Sequence, residues 1–105
     1  MLVTTGNEVE GHKISAYLGI VRGVMVRSPY VGQSFMGSVQ GIFGRNIDAY
    51  AQACDQARQH AYDRLVEHAA QLGADAIIGM RYDATEFAQG ITEVLAYGTA
   101  VKLSR

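Results

Sequence analysis

The chain has 105 residues, 49% of them hydrophobic and 18% charged. That is the length of one domain, residues 1–105, which buries roughly two-thirds of its unfolded surface. A formal charge of −1, with seven arginines scattered from Arg22 to Arg105, excludes the basic footprint of a nucleic-acid binder, and no apolar run is long enough to span a bilayer.

The charged share is low for a solitary surface and hints at self-association. The opening MLVTTGNEVEGH lacks a basic stretch leading into a long apolar one, which argues against a secretory signal. Cys54 is the only cysteine, so no internal disulfide forms, and a lone thiol suits the reducing cytoplasm.

The first strong pattern is HKISAYLGIVRGVMVR, His12 to Arg27, where Ile14, Ala16, Leu18 and Ile20 alternate with Ser15, Tyr17, Gly19 and Val21. The alternation predicts one long strand, with a bulge at Gly23 where Arg22 interrupts the apolar second half. Ser28-Pro29 stops it, because proline has no amide proton for the ladder. YVGQSFMGSVQGIFG then sets Phe35, Val39 and Ile42 at helical spacing and predicts a short helix weakened by Gly37 and Gly41.

Arg45 to Leu72 predicts one long helix, with Asn46 as N-cap, Asp48 in the first turn and Gly73 as the left-handed residue after its end. Ile47, Ala51, Cys54, Ala61, Leu65, Ala69 and Leu72 form its apolar stripe, flanked by Ala49, Ala53 and Ala57. Some 26 residues make about 39 Å of helix, whereas a compact chain of this size has a radius of gyration near 13 Å. A second copy is the economical cover for the excess.

Ala76 to Glu86 and Thr92 to Leu103 predict an antiparallel hairpin turning at Gln89-Gly90. In the first strand Ile78, Met80, Tyr82 and Ala84 share a face; in the second Leu95, Tyr97, Val101 and Leu103 oppose the nearly bare Ala96, Gly98 and Ala100. That bare face permits a close approach of the Ala-rich helix. The order β-α-α-β-β gives an α+β fold: a small antiparallel sheet packed by one long and one short helix.

Candidate chemistry is sparse. His60, Asp63 and Glu67 fall at i, i+3 and i+7 of the long helix, a spacing by which an imidazole and two carboxylates could gather a divalent transition metal; the plainer account is a solvated polar face. Cys54 lies some 240° round the helix from His60, so the two cannot share an ion within one subunit. Met25, Met36 and Met80 share no local spacing and read as core. No serine sits in a G-x-S-x-G elbow and no glycine run matches G-x-G-x-x-G. Arg22 and Arg81 stand in apolar strands, and a partly buried arginine needs an acidic partner, for which Asp83 and Glu93 serve, or an anionic ligand.

Three segments in order, LGIVRG (18–23), GADAIIG (73–79) and YGTAVKL (97–103), with a long alanine-rich charged helix before the second, resemble the YbjQ-like family of small bacterial proteins labelled heavy-metal-binding. The resemblance spans nearly the whole chain and implies a subunit similar to the dodecin-like class that assembles into a homo-oligomeric ring, a pentamer. It carries over no catalytic residues. Where the family often shows a Gly-Gly pair before the long helix, this chain has Phe43-Gly44-Arg45. The expectation is a cytoplasmic, non-enzymatic binding or structural module holding a metal ion or small anion at subunit interfaces, with Arg22 and Arg81 as anion ligands. The alternative is a small enzyme with a site between subunits and His60 or His12 as base.

Overall fold

The computed structural model describes residues 1–27, 47–88 and 91–104. They form β1 (Leu2–Val3), β2 (Lys13–Arg27), α1 (Ile47–Gln71), β3 (Ala76–Ala88) and β4 (Ile91–Ser104). The sheet order is β1-β3-β4-β2. β4 pairs antiparallel with both β2 and β3, while β1 runs parallel to β3, so the sheet is mixed where a wholly antiparallel one was expected. Two residues carry no alternation, which is why β1 leaves no pattern. The short helix around Phe35–Phe43, the Asn46 cap and the Gln89-Gly90 turn lie outside the described residues.

Register slips in β2 and β3 break simple alternation. In β3, Gly79 and Met80 together oppose Gly98, and Gly79 takes a φ of 61° that suits glycine. This bulge puts Ile77 and Met80 in one core cluster and Ile78 in another, so Ile78 and Met80 do not share a face. In β2 the register slips at Ser15 and at Leu18, next to Gly19 with a φ of 115°. Gly23 is not a bulge; it pairs regularly with Ala96.

Gly23 serves packing instead. A Cβ there would fall inside the backbone of Ala61 and Leu65, so α1 rests directly on β2. The helix buries Ala57, Ala61, Leu65 and Ala69 at a spacing of four, against Val21, Ile77, Met80, Ala96 and Ala100. Ala96 and Ala100 thus meet the alanine-rich helix as their small size requires. Gly98 faces a different neighbour: a Cβ there would lie 2.7 Å from Ile77 Cγ2 and 3.0 Å from Ile78 O. The stripe is shorter than expected, since Ala51 and Leu72 are exposed and Cys54 is half-buried.

The helix ends in a Schellman motif. Gly73, at a φ of 76°, donates its N–H to Ala70 O, and Ala74 N–H donates to Ala69 O. A second cluster, Val9, Ala76, Ile78 and Val101 with Ile14 and Leu103, covers the opposite sheet face at this end only. The radius of gyration is 16.8 Å, well above the value near 13 Å of a compact chain this long. Arg81 to Glu86 are all exposed, so this part of β3 stands outside the core.

Candidate functional site

Cross-strand register decides which side chains meet. Tyr97 of β4 is the partner of Arg22 on β2 and of Arg81 on β3, so the three form one row across the sheet. Directly paired residues project from the same side. The adjoining row, Ile20–Thr99–Ile78, includes Ile78 of the second cluster, which places the arginine row on the face turned away from α1. Strands spaced about 4.8 Å apart set the two arginine Cα atoms roughly 9.6 Å from one another, with the phenol between them.

Neither arginine is buried, so the expected compensation of a buried charge does not arise. Asp83 and Glu93 make no ion pair with them among the described residues, where the ion pairs are Arg58–Asp55 and Lys102–Asp75. Asp83 Oδ1 accepts from Ala84 N–H at 2.9 Å. Arg81 Nη1 donates to Thr5 O and to Met80 O, both at 2.8 Å, and so ties the segment after β1 to the sheet. The Arg22 side chain has no hydrogen bond or ion pair among the described residues.

The proposed metal ligands stay apart. His60 and Glu67 lie on one side of α1 but two turns apart, about 10.5 Å along the axis, too far for one ion. Asp63 Oδ1 accepts from Gln59 Nε2 at 2.8 Å. No group of three or more His, Cys, Asp or Glu side chains is placed to hold a metal among the described residues. His12 sits in an open groove with Asn7, Glu8, Lys13 and Tyr17, at the end of the sheet covered by the second cluster.

His68, which the sequence pattern did not single out, has a structural task. Among the described residues β2 is an edge strand, and α1 reaches over its outer side: His68 Nδ1 accepts from Arg22 N–H at 3.2 Å, and Arg64 Nη1 donates to Val24 O. An accepting Nδ1 requires a neutral ring protonated on Nε2. These contacts satisfy backbone groups that would otherwise offer a template to another strand. The i, i+4 spacing of Arg64 and His68 was the available signal.

Among the described residues, two titrating groups are shifted. Asp75 Oδ2 accepts from Leu103 N–H at 2.9 Å and Oδ1 lies 3.6 Å from Lys102 Nζ; the backbone hydrogen bond first, and the ammonium second, hold its carboxyl below the usual range. Burial, then the neighbouring Tyr62, pushes the Tyr82 phenol up.

A family model described as "Putative heavy-metal-binding" matches residues 1–104. A UPF0145 protein of Chromobacterium violaceum is 54% identical over 102 residues, 97% of this chain and 87% of that protein. Another, from Legionella pneumophila, is 54% identical over 101 residues, 96% of each chain. A crystal structure of a DUF74 family protein of unknown function from Pediococcus pentosaceus shares the fold, with a TM-score of 0.65 at 23% identity over 99% of this chain and 98% of that one. Matched from end to end, with close relatives at half identity, this chain belongs to the YbjQ family.

Proposed function

We propose that this chain is a non-enzymatic binding module that works in the cytoplasm as a closed ring of identical subunits, five as the family resemblance implies, in a dodecin-like arrangement with a small ligand where subunits meet. The observation that carries this reading is the bare sheet face opposite α1. Beyond the second cluster no element among the described residues covers it, and it leaves Tyr17 69%, Ile20 76% and Val26 50% exposed. Apolar side chains gathered on one uncovered surface mark an interaction site. Residues 51–56 of α1, exposed or half-buried, give a subunit neighbour a second surface.

The ligand this face favours is an anion, because its central row carries two arginines. A resident heavy-metal ion does not fit the donors of one chain, since no three gather among the described residues. Metal bound by a ring would take donors from more than one copy. Light scattering on a sizing column should give a mass several times 11.4 kDa, and a monomer at micromolar concentration overturns the ring. Calorimetric titration with zinc, nickel or copper should read the same for wild type, His60→Ala and Glu67→Ala. A site lost in both variants would restore the helical metal site.

A further inference from the structure

We infer that His68 is an acid-sensitive latch, holding the end of α1 to the outer edge of β2 while its ring is neutral and letting go when the ring takes a second proton. Neither the subunit ring nor the ligand proposed above enters this inference.

The contact joins residues 46 apart in sequence, with Arg22 N–H donating to His68 Nδ1 at 3.2 Å. A ring that accepts at Nδ1 already carries its one proton on Nε2. A second proton can therefore be added only at Nδ1, the atom the contact uses. Donor then faces donor, and the hydrogen bond is lost. One turn earlier on the helix Arg64 Nη1 donates to Val24 O, a bond that acid leaves intact because the guanidinium is always charged. The buried packing of Ala61, Leu65 and Ala69 also has no proton to gain, so the latch opens one contact and not the core.

The charged ring is within reach because His68 is half-buried and stands in the last turn of α1, where the helix carbonyls favour a cation. Two neighbours thus make opposite demands on one imidazole: Arg22 N–H requires it neutral, and the helix end favours it charged. On α1 itself Arg64, four residues earlier, repels a charged ring, while Glu67 points about 100° away round the helix. From β2, Val21 and Gly23 face the helix without a titratable group, and the Arg22 guanidinium lies on the other face. From β4 comes Lys102, bound to Gly73 O and beside Asp75. From β3 come Tyr82, at the Arg58–Tyr62 stretch of the helix, and Glu86 further along the strand. Among the described residues no carboxylate pairs with His68.

The test follows amide exchange at Arg22 in the full chain by nuclear magnetic resonance, each rate divided by that of an unstructured peptide at the same pH. From about pH 8 to about pH 5, the span over which an imidazole titrates, protection at Arg22 in the wild type should fall about fivefold, the loss of one hydrogen bond. The Arg22 amide shift should move with the same midpoint as the His68 ring carbons. His68→Asn sets a carbonyl oxygen where Nδ1 stood and does not titrate, so its protection should stay high and flat. His68→Phe keeps the bulk without an acceptor, and its protection should be low at both ends of the range.

Flat protection at Arg22 in the wild type overturns the inference. So does a fall that persists in His68→Asn, which retains His12 and His60 and would assign the effect to them. A parallel fall at the amide of Ala96, buried under the helix, would show general loosening and overturn it as well.

Discussion

Gly23→Ala is the substitution that should cost most, and the reason is a backbone that cannot turn aside. The added methyl would fall within the main chain of Ala61 and Leu65, and the carbonyl carbon of Arg64 would lie 3.0 Å away. To make room, α1 must rise by roughly 1 Å, and a gap of that size forfeits a quarter or more of each van der Waals contact. Leu65 is fully buried. At about 50 contacts of about 0.15 kcal/mol each, a quarter lost there is about 2 kcal/mol. Val21, Ala61 and Ala69, each also fully buried, together lose a comparable amount. Against this total of about 4 kcal/mol, restricting the unfolded chain returns about 0.4–1 kcal/mol, which leaves a net loss of about 3 kcal/mol. Urea unfolding measures it as a lower midpoint at unchanged slope, and thermal melting as a fall of about 12–24 °C. Two other glycines calibrate the result. Gly98→Ala meets Cγ2 of the fully buried Ile77 and, at 3.0 Å, Ile78 O, and should cost about 1–3 kcal/mol; Gly19→Ala meets open space but a φ of 115°, and should cost about 1–2 kcal/mol through strain alone. A loss below about 1 kcal/mol at Gly23 would refute the claim that the helix rests on this strand.

Asp75 should make folding sensitive to acid. Its folded-state pKa is depressed, so its contribution is fully present above the unfolded value near 3.9 and is lost as pH falls through the lower folded value. Asp75→Asn should flatten that part of the stability profile below about pH 4, and a variant with an unaltered acid limb contradicts the assignment. At the free edge of β2, Arg64→Ala and His68→Ala should each destabilise by about 1 kcal/mol, with faster amide exchange at Arg22 in the His68 variant only. Unchanged exchange at Arg22 would show that His68 does not accept that proton.

Much of the fold was legible because its signals are local. Alternation placed β2 within a residue of its start, and the alanine-rich run closed by Gly73 placed α1, because a left-handed glycine is required where Ala69 and Ala70 carbonyls receive the Schellman bonds. The faces were harder. Each bulge inverts alternation beyond it, and nothing in GADAIIG says that Gly79 and Met80 will together oppose Gly98. The candidate row shows the same limit. Ala88 pairs with Ile91, and continuing that register unbroken would set Arg81 against Gly98, on the helix side. The slip between Glu86 and Ala88 moves Arg81 by one residue to Tyr97 and turns it to the bare face. Arg22 and Arg81 were therefore visible as arginines out of place in apolar strands, while their shared neighbour was not.

Gly23 explains why the edge of β2 and its two faces act as one unit. Within VRGV, 21 to 24, Val21 fills the core under α1 and Gly23 lets the helix descend onto the strand. That descent brings Arg64 and His68 close enough to bond Val24 O and Arg22 N–H. Arg22 itself, alternating to the far side, enters the row with Tyr97 and Arg81. A larger residue at 23 would raise the helix and loosen the two edge contacts, and the backbone of Arg22 would then lose the partner that holds it in place. The helix side and the bare side of the sheet are joined through a single peptide segment, so a change in packing above should register in the proposed anion binding below.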